Sequence, residues 1–342
     1  MATSQPFEFR RSRDFGESFS ALFEFLRQNW KNLSKSLVLI AAPLILILGV
    51  GGGFLISEIF STLQKTTFGM PDFTQHIAVI GFEVFVLGII YFLTGAAVLA
   101  ITCEYIHLSM NGETEQFDVS FLWAKISSRF WWHISNFFVI NVVGFLIMLP
   151  FMIILGGIVG LGGIGNIEAI IITYMMIIFI GIPITVYIGT MLSLFPMMRI
   201  TENIGVMAGI KRCFFLIKNN FWVTFGYYFV VGLIQSVVGS FFMIPFYILY
   251  VIAIITIIPQ AAQSETGMPM LNFGFGFQIA FTVAGVLAIG GSLLLNSMTI
   301  TAHAIQYFNL VERKEGVGTM AKLDLLGSTE NTAETDDSGE EY

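Results

Sequence analysis

Cys103 and His107 come closest in this sequence to the spacing of a metal site. They are four residues apart, which places a thiol and an imidazole on one face of a helix, as in zinc sites. No second pair of ligands completes a tetrahedral set, and His76 is expected across the membrane from the other three histidines. The sequence therefore predicts no metal and no cofactor. It also contains no phosphate-binding loop, nucleophile elbow or zinc-protease motif, so we expect no catalytic residues.

Polar residues inside apolar segments are stronger candidates, because burying a polar side chain in lipid is costly. The candidates are Glu83, Gln235, Asn296 and His303. Glu83 lies about two turns inside its segment, where it could hold a proton or ion or extend to the membrane surface. The two amides and the imidazole are expected to form hydrogen bonds between helices.

Basic residues form a third group of candidates. They lie in segments whose apolar residues recur every three or four positions, as in helices that lie at a membrane surface. The residues expected to contact anionic lipid headgroups or a protein partner are Arg27, Lys31, Lys125, Arg129, Lys211, Arg212 and Lys218. Glu202 follows Arg199 by three residues, so we predict an ion pair between them at the start of the third segment.

The composition indicates a membrane protein. Hydrophobic residues make up 56% of the chain and charged residues 11%, whereas a soluble domain has roughly 25% charged residues. Six apolar runs are long enough to span a bilayer, at about 37–56, 77–103, 134–161, 167–198, 223–258 and 273–307. We predict an all-α polytopic protein with six transmembrane helices, whose partners are membrane lipids or a membrane-protein complex and not nucleic acid.

The basic residues also predict the orientation. If the N-terminus is cytoplasmic, all of the 16 Lys and Arg residues except Lys65 lie on the cytoplasmic side. Positive charge is retained on that side during insertion. We therefore expect a multi-pass protein of the bacterial inner membrane with both termini in the cytoplasm.

Three regions follow from this pattern. Residues 1–36 are predicted to be a cytoplasmic leader with an amphipathic helix. Residues 37–315 form the six-span domain, with amphipathic interfacial "elbow" helices at about 117–133 and 203–222, and residues 316–342 form an acidic, disordered tail. Each amphipathic segment precedes two spans, so the chain reads either as three repeats of an elbow helix and a helical pair, or as a coincidence of hydropathy.

Two segments resemble a known family. They read "MMRITENIGVMAGIKRCFFLIKNNFWVTFG" and "AIQYFNLVERKEG" and are similar to a bacterial family of six-span proteins, related to the membrane domain of glycerophosphoryl diester phosphodiesterases. The matching positions are Glu202, Arg212, Leu216, Lys218, Phe221, Trp222, Tyr307, Phe308, Asn309, Leu310, Glu315 and Gly316. Cys213 and Asn219 depart from the family pattern, which has Ser and Gly there. The resemblance implies a topology rather than an activity, and the catalytic phosphodiesterase domain is not expected here.

Three classes of function remain open at this stage. The first is a non-catalytic scaffold or accessory subunit that holds anionic lipid or a partner through its basic elbow helices. The second is a transporter or lipid-handling protein, favoured by the repeated units and by prolines within spans. The third is a membrane-embedded enzyme, which would need a convergent acid–base or metal set that the sequence does not supply.

Overall fold

The computed structural model describes residues 7–67, 73–112, 118–162, 167–263 and 275–320. The described elements are helices, and the described residues contain no strand. The helices are α1 (Phe15–Thr67), α2 (Phe73–Met110), α3 (Val119–Ser128), α4 (Phe130–Gly162), α5 (Ile167–Met176), α6 (Ile182–Leu192), α7 (Phe195–Glu202), α8 (Val206–Ile217), α9 (Phe221–Gln263) and α10 (Phe275–Glu315). A π-helical turn, Ile177–Gly181, joins α5 to α6.

Among the described residues, six stretches are long and apolar enough to cross a membrane. They are Phe15–Leu55, Ala78–Met110, Phe130–Gly157, Ile170–Glu202, Phe221–Ile252 and Gly276–Glu315. The fourth stretch contains α5, the π-helical turn, α6 and α7. Most of their large apolar side chains lie on the outer surface of the bundle, because lipid, rather than a protein core, surrounds a helix that spans a membrane. The predicted all-α polytopic fold with six transmembrane helices is confirmed.

The leader and the first span form a single helix. Asp14 and Glu17 begin it as a capping box: the Glu17 N–H donates to Asp14 Oδ1 at 2.7 Å, and the Asp14 N–H donates to Glu17 Oε2 at 3.0 Å. No break follows at the predicted boundary near residue 36, because residues 30–37 contain neither glycine nor proline to interrupt the helical hydrogen bonds. The amphipathic leader is therefore the first part of α1 rather than a separate elbow.

Both ends of the described chain lie at one end of the bundle, which we call the terminal face. The Arg13 N–H donates to Asn309 Oδ1 at 2.9 Å, and the Arg313 guanidinium donates to the Arg13 carbonyl oxygen at 2.5 Å. Helices α3, α7 and α8 also lie at this face, where α7 and α8 contact the end of α10. The largest fully buried side chains, such as Tyr105 and Phe308, belong to the core beneath it.

The spans pack unequally. Helices α1, α2, α9 and α10 form the tightly packed part of the bundle, and Gly49 of α1 lies directly against Val286 of α10. Helix α4 contacts α2, and α6 contacts α9. Two ring contacts join these outer helices to their neighbours: Phe92 with Phe137 at 4.9 Å and Tyr187 with Phe221 at 5.0 Å. The looser packing leaves space between the helices inside the bundle.

Candidate functional site

Two neighbouring cavities lie among the spans. The larger has a volume of about 600 Å³ and lies between α1, α2, α9 and α10. The smaller has a volume of about 250 Å³ and lies nearer the terminal face, between α2, α4, α6, α7 and α10. Asn296 of α10 lines both cavities. We refer to them together as the intramembrane cavity.

Glycine residues create much of this space. Gly52 of α1 lines the larger part and Gly189 of α6 lines the smaller part. A Cβ atom at either position would meet no atom within 4 Å. The neighbouring Gly49 is different, because a Cβ there would lie 2.9 Å from the Val286 Cα. Helix α1 therefore uses one glycine for close packing against α10 and another to leave room.

Three of the four polar residues predicted within the spans meet at this cavity. Gln235 lines the larger part and His303 the smaller part, with Asn296 between them. Gln235 makes a hydrogen bond between α9 and α10, since its Oε1 accepts the Thr299 hydroxyl. Glu83 lines neither part and stands apart from this group.

Asn296 and His303 differ from the expectation that they join helices. The Asn296 amide and the His303 imidazole make no hydrogen bond with any residue that the structure describes. His303 instead packs edge-on against the Tyr228 ring, with centroids 4.4 Å apart. Because both residues line the cavity, their polar atoms are available to a molecule inside it. The apolar pattern could locate these residues in spans but could not show that they share one space.

The predicted ion pair between Arg199 and Glu202 is wrong. Arg212 Nε lies 3.1 Å from both Glu202 carboxylate oxygens, and the Tyr307 hydroxyl donates to Glu202 Oε1 at 2.9 Å. Arg212 also donates to both Glu315 oxygens, one of them at 2.8 Å, and this hydrogen bonding raises the pKa of Arg212. Sequence separation misled the prediction, because α7 ends at Glu202 and the turn at Asn203 (φ 50°) directs the carboxylate toward α8.

Arg199 points into the bundle instead. Its guanidinium donates to Ser135 Oγ at 3.0 Å, to the Ile204 carbonyl oxygen at 3.2 Å and to Asn136 Oδ1. It also lies over the Trp132 ring, 4.5 Å from the centroid. No carboxylate among the described residues lies within 4.0 Å of it, although its side chain is only 5% exposed. The guanidinium is therefore held by neutral acceptors alone.

Glu104 is a buried charge that the sequence did not single out. Its side chain is 0% exposed, its nearest partner is His133 Nε2 at 3.1 Å, and Arg129 lies 3.9 Å away. The residue lies at the end of the apolar run 77–103, where a carboxylate could as well face water. Only the packing of α3 and α4 over this end of α2 buries it, so no local sequence signal identifies it.

The basic residues predicted to contact lipid or a partner have different surroundings. Five are exposed: Arg27, Lys31, Arg129, Lys211 and Lys218. Lys125 lies 6.0 Å from the centroid of the Phe121 ring. Arg212 is bound by two carboxylates, so its guanidinium is not free to contact lipid as predicted.

The intramembrane cavity brings an amide and an imidazole together among mainly apolar side chains, whereas Arg199, Arg212 and Glu202 lie at the terminal face. Models of protein families, curated proteins and solved structures give no match to the chain.

Proposed function

We propose that the protein is a non-catalytic integral membrane protein that binds a lipid inside its helical bundle. The observation that carries this proposal is the position of Asn296, whose amide lines both parts of the intramembrane cavity without a hydrogen-bond partner among the described residues. Asn296 is half-buried, and an amide that is unpaired and away from water costs up to about 1–3 kcal/mol. A lipid whose polar group bonds Asn296 offsets this cost.

The size and lining of the cavity support an apolar tail. A volume of about 600 Å³ falls within the usual range for sites that bind small molecules, about 300–1,000 Å³. The walls are mainly apolar, with Leu48, Phe246 and Phe281 among them. Such walls favour an alkyl or isoprenoid chain, because burying each CH₂ group contributes about 0.8 kcal/mol.

The same lining argues for a neutral polar group rather than an ion in transit. No Asp, Glu, Lys or Arg is found among the described residues that line either part of the cavity. Chains of carboxylates and histidines usually mark ion and proton pathways through membranes, and His303 has no carboxylate beside it in the cavity lining. Amides and hydroxyls in an apolar enclosure instead suit the ester or hydroxyl groups of a lipid.

Filling the cavity tests the proposal. Gly52→Leu places a side chain in open space inside the larger part and is expected to remove a lipid that co-purifies with the protein. Gly88→Leu is the matched control, because Gly88 also has open space around it but does not line the cavity. The measurement is native mass spectrometry with identification of bound lipids. Equal lipid retention by the two variants would count against binding in the cavity.

A second candidate function is that of an accessory subunit, and the exposed cations of α1 favour it. Arg27, Lys31 and Lys35 recur every four residues and are all exposed, so they form one basic strip near the terminal face. A protein partner with an acidic surface would bind there. Replacing all three by Gln should release such a partner during affinity purification from native membranes, and a partner retained by the triple variant would contradict this assignment.

Three further proposals concern the membrane in which the protein lies, its internal repeats and its related family. We infer that the six spans lie in a bacterial inner membrane with the terminal face in the cytoplasm, because Lys and Arg gather at that face. We also propose that the chain consists of three diverged repeats, because each of its three amphipathic segments precedes two spans. The segments around Glu202 and Tyr307 support a relation to the six-span family described above.

A further inference from the structure

A separate groove opens at the terminal face between α3, α4 and the turn that follows α7. Its volume is about 880 Å³, and its lining includes Trp123, Ser128, Arg129, Trp131, Ser135 and Asn203. None of the residues that line this groove lines the intramembrane cavity. The groove is therefore a different site from the one in the proposed function.

The guanidinium groups at the groove have few carboxylate partners among the described residues. Arg129 lines the groove, and Arg199 lies beneath it through contacts with two lining residues, Trp132 and Ser135. Within the described part of the chain, the carboxylate of Glu104 is the only one within 4.0 Å of either guanidinium, at 3.9 Å from Arg129. Glu104 is closer to His133, at 3.1 Å. Arg129 therefore has a single long ion pair among these residues, and Arg199 has none.

In the neighbouring cluster on α8, by contrast, the guanidinium group has close carboxylate partners. There the single guanidinium of Arg212 is bound by two carboxylates, Glu202 and Glu315. That cluster is satisfied within the chain and stabilises the contact of α7 and α8 with α10. The Arg129 guanidinium, by contrast, is partly exposed and has only the long contact with Glu104 among the described residues, so it can bind an external anion.

The polar groups of the groove suit a phosphate. The Arg129 side chain is 44% exposed, so its guanidinium can donate to phosphate oxygens in the bidentate manner typical of arginine. The Asn203 carboxamide lines the groove and makes no hydrogen bond with the described residues. It supplies a second donor on the opposite wall.

The aromatic rim indicates where the phosphate comes from. Trp131 is 80% exposed and Trp123 is 52% exposed, and both line the groove. Tryptophan is enriched at membrane interfaces, where its ring lies at the level of the headgroups. We propose that this groove binds the phosphate of an anionic phospholipid headgroup, held by Arg129 and Asn203 and placed between the two tryptophans.

The test compares lipid binding by the full-length purified protein and its variants. Each protein is equilibrated with equal amounts of phosphatidylglycerol and phosphatidylcholine, and bound lipid is counted by native mass spectrometry as the lipid concentration is raised. Arg129→Gln should weaken saturable binding of phosphatidylglycerol about fivefold. Ser127→Trp, which fills the groove from an exposed position, should abolish it. Arg10→Gln is the control, because it removes the same charge from an exposed residue that does not line the groove.

The outcomes separate the sources of phosphate. Loss of binding in both groove variants, with no competition by inorganic phosphate at constant ionic strength, supports a lipid headgroup. Competition by inorganic phosphate supports the phosphate chemistry and assigns the site to the free ion. Unchanged binding in the folded Ser127→Trp variant, or equal weakening by Arg10→Gln, overturns the proposal. If Arg129→Gln fails to fold, Ser127→Trp alone tests whether the groove binds phosphatidylglycerol. Gly52→Leu, which fills the intramembrane cavity, should leave phosphatidylglycerol binding in the groove intact.

Discussion

Arg199 and Arg212 belong to two short consecutive helices, α7 and α8, yet they have different surroundings. Arg212 is partly exposed and ion-paired, and its hydrogen bonds link α8 to the end of α10. Arg199 is buried among neutral oxygens and aromatic rings, and it links α7 to α4. At the scale of single residues, arginine therefore stabilises the contact of α8 with α10 through ion pairs and the contact of α7 with α4 through hydrogen bonds to neutral groups.

A double-mutant cycle separates the two arginines. We expect a coupling free energy of about 1 kcal/mol between Arg212→Met and Glu202→Gln, because their side chains are 23% and 24% exposed and water screens the pair only in part. Coupling between Arg199→Met and Glu202→Gln should be close to zero, since these residues share no contact. The measurement is the free energy of unfolding of the purified protein in detergent. Coupling of Glu202 to Arg199 as large as to Arg212 would contradict the structure.

At the scale of elements, α8 shows how small residues change the buried face of a helix. The spacing of Met207 and Phe214 suggests an apolar stripe, but both side chains are exposed. The helix buries Gly209, Cys213, Leu216 and Ile217, so the buried face is turned away from Met207 and Phe214 and keeps Ile217. The absence of a side chain at Gly209 permits this approach, since a Cβ there would lie 2.9 Å from Phe195 Cε2. Burial of this face raises the pKa of the Cys213 thiol to about 12.

The sequence was sufficient to predict the spans and insufficient to predict their contacts. Hydropathy is a local property, so the six apolar runs correspond to six helical stretches. The partner of Glu202 and the burial of Glu104 both depend on which helices meet. Gln235, Asn296 and His303 were correctly placed within spans, but their convergence on one cavity depends on how α9 and α10 pack against the other helices.

The contact between α1 and α10 gives a prediction at this scale. Gly49→Ala should lower the free energy of unfolding by about 1–3 kcal/mol, because the added Cβ would lie 2.9 Å from the backbone of Val286. Gly52→Ala, one turn away in open space, should be neutral or stabilise the helix by up to about 1 kcal/mol. Thermal unfolding of both purified variants measures the difference. Equal destabilisation would show that α1 and α10 are not packed through Gly49.

At the scale of the whole molecule, the bundle is asymmetric. Helices α1, α2, α9 and α10 pack closely, whereas α4 and α6 contact α2 and α9 less extensively, in part through aromatic rings. The intramembrane cavity lies within this asymmetric bundle, and its smaller part reaches toward the terminal face, where the charged residues lie. The proposed lipid site and the proposed phosphate groove therefore lie at different depths of one structure.

Topology reporters test the arrangement of the six spans. A reporter fused to the chain after Asn111 or after Gly209 should be active on the cytoplasmic side, because both positions lie at the terminal face with most of the basic residues. A reporter fused after Gln263 should be active on the periplasmic side, because α9 separates this residue from Gly209. A cytoplasmic signal from the Gln263 fusion would exclude the six-span arrangement.

The bond between the two ends of the chain has a consequence for biosynthesis. The Arg13 N–H and its acceptor Asn309 are 296 residues apart, and a ribosome adds about 5–20 residues per second. The first segment to leave the ribosome therefore waits about 15–60 s for its partner, while five spans enter the membrane before α10. Throughout that interval Arg13, which is buried in the finished protein, stays in contact with water or with the insertion machinery. The acceptor for the Arg13 N–H belongs to α10, the last helix to be made. A nascent chain that stalls before α10 therefore leaves the segment around Arg13 unprotected from proteolysis.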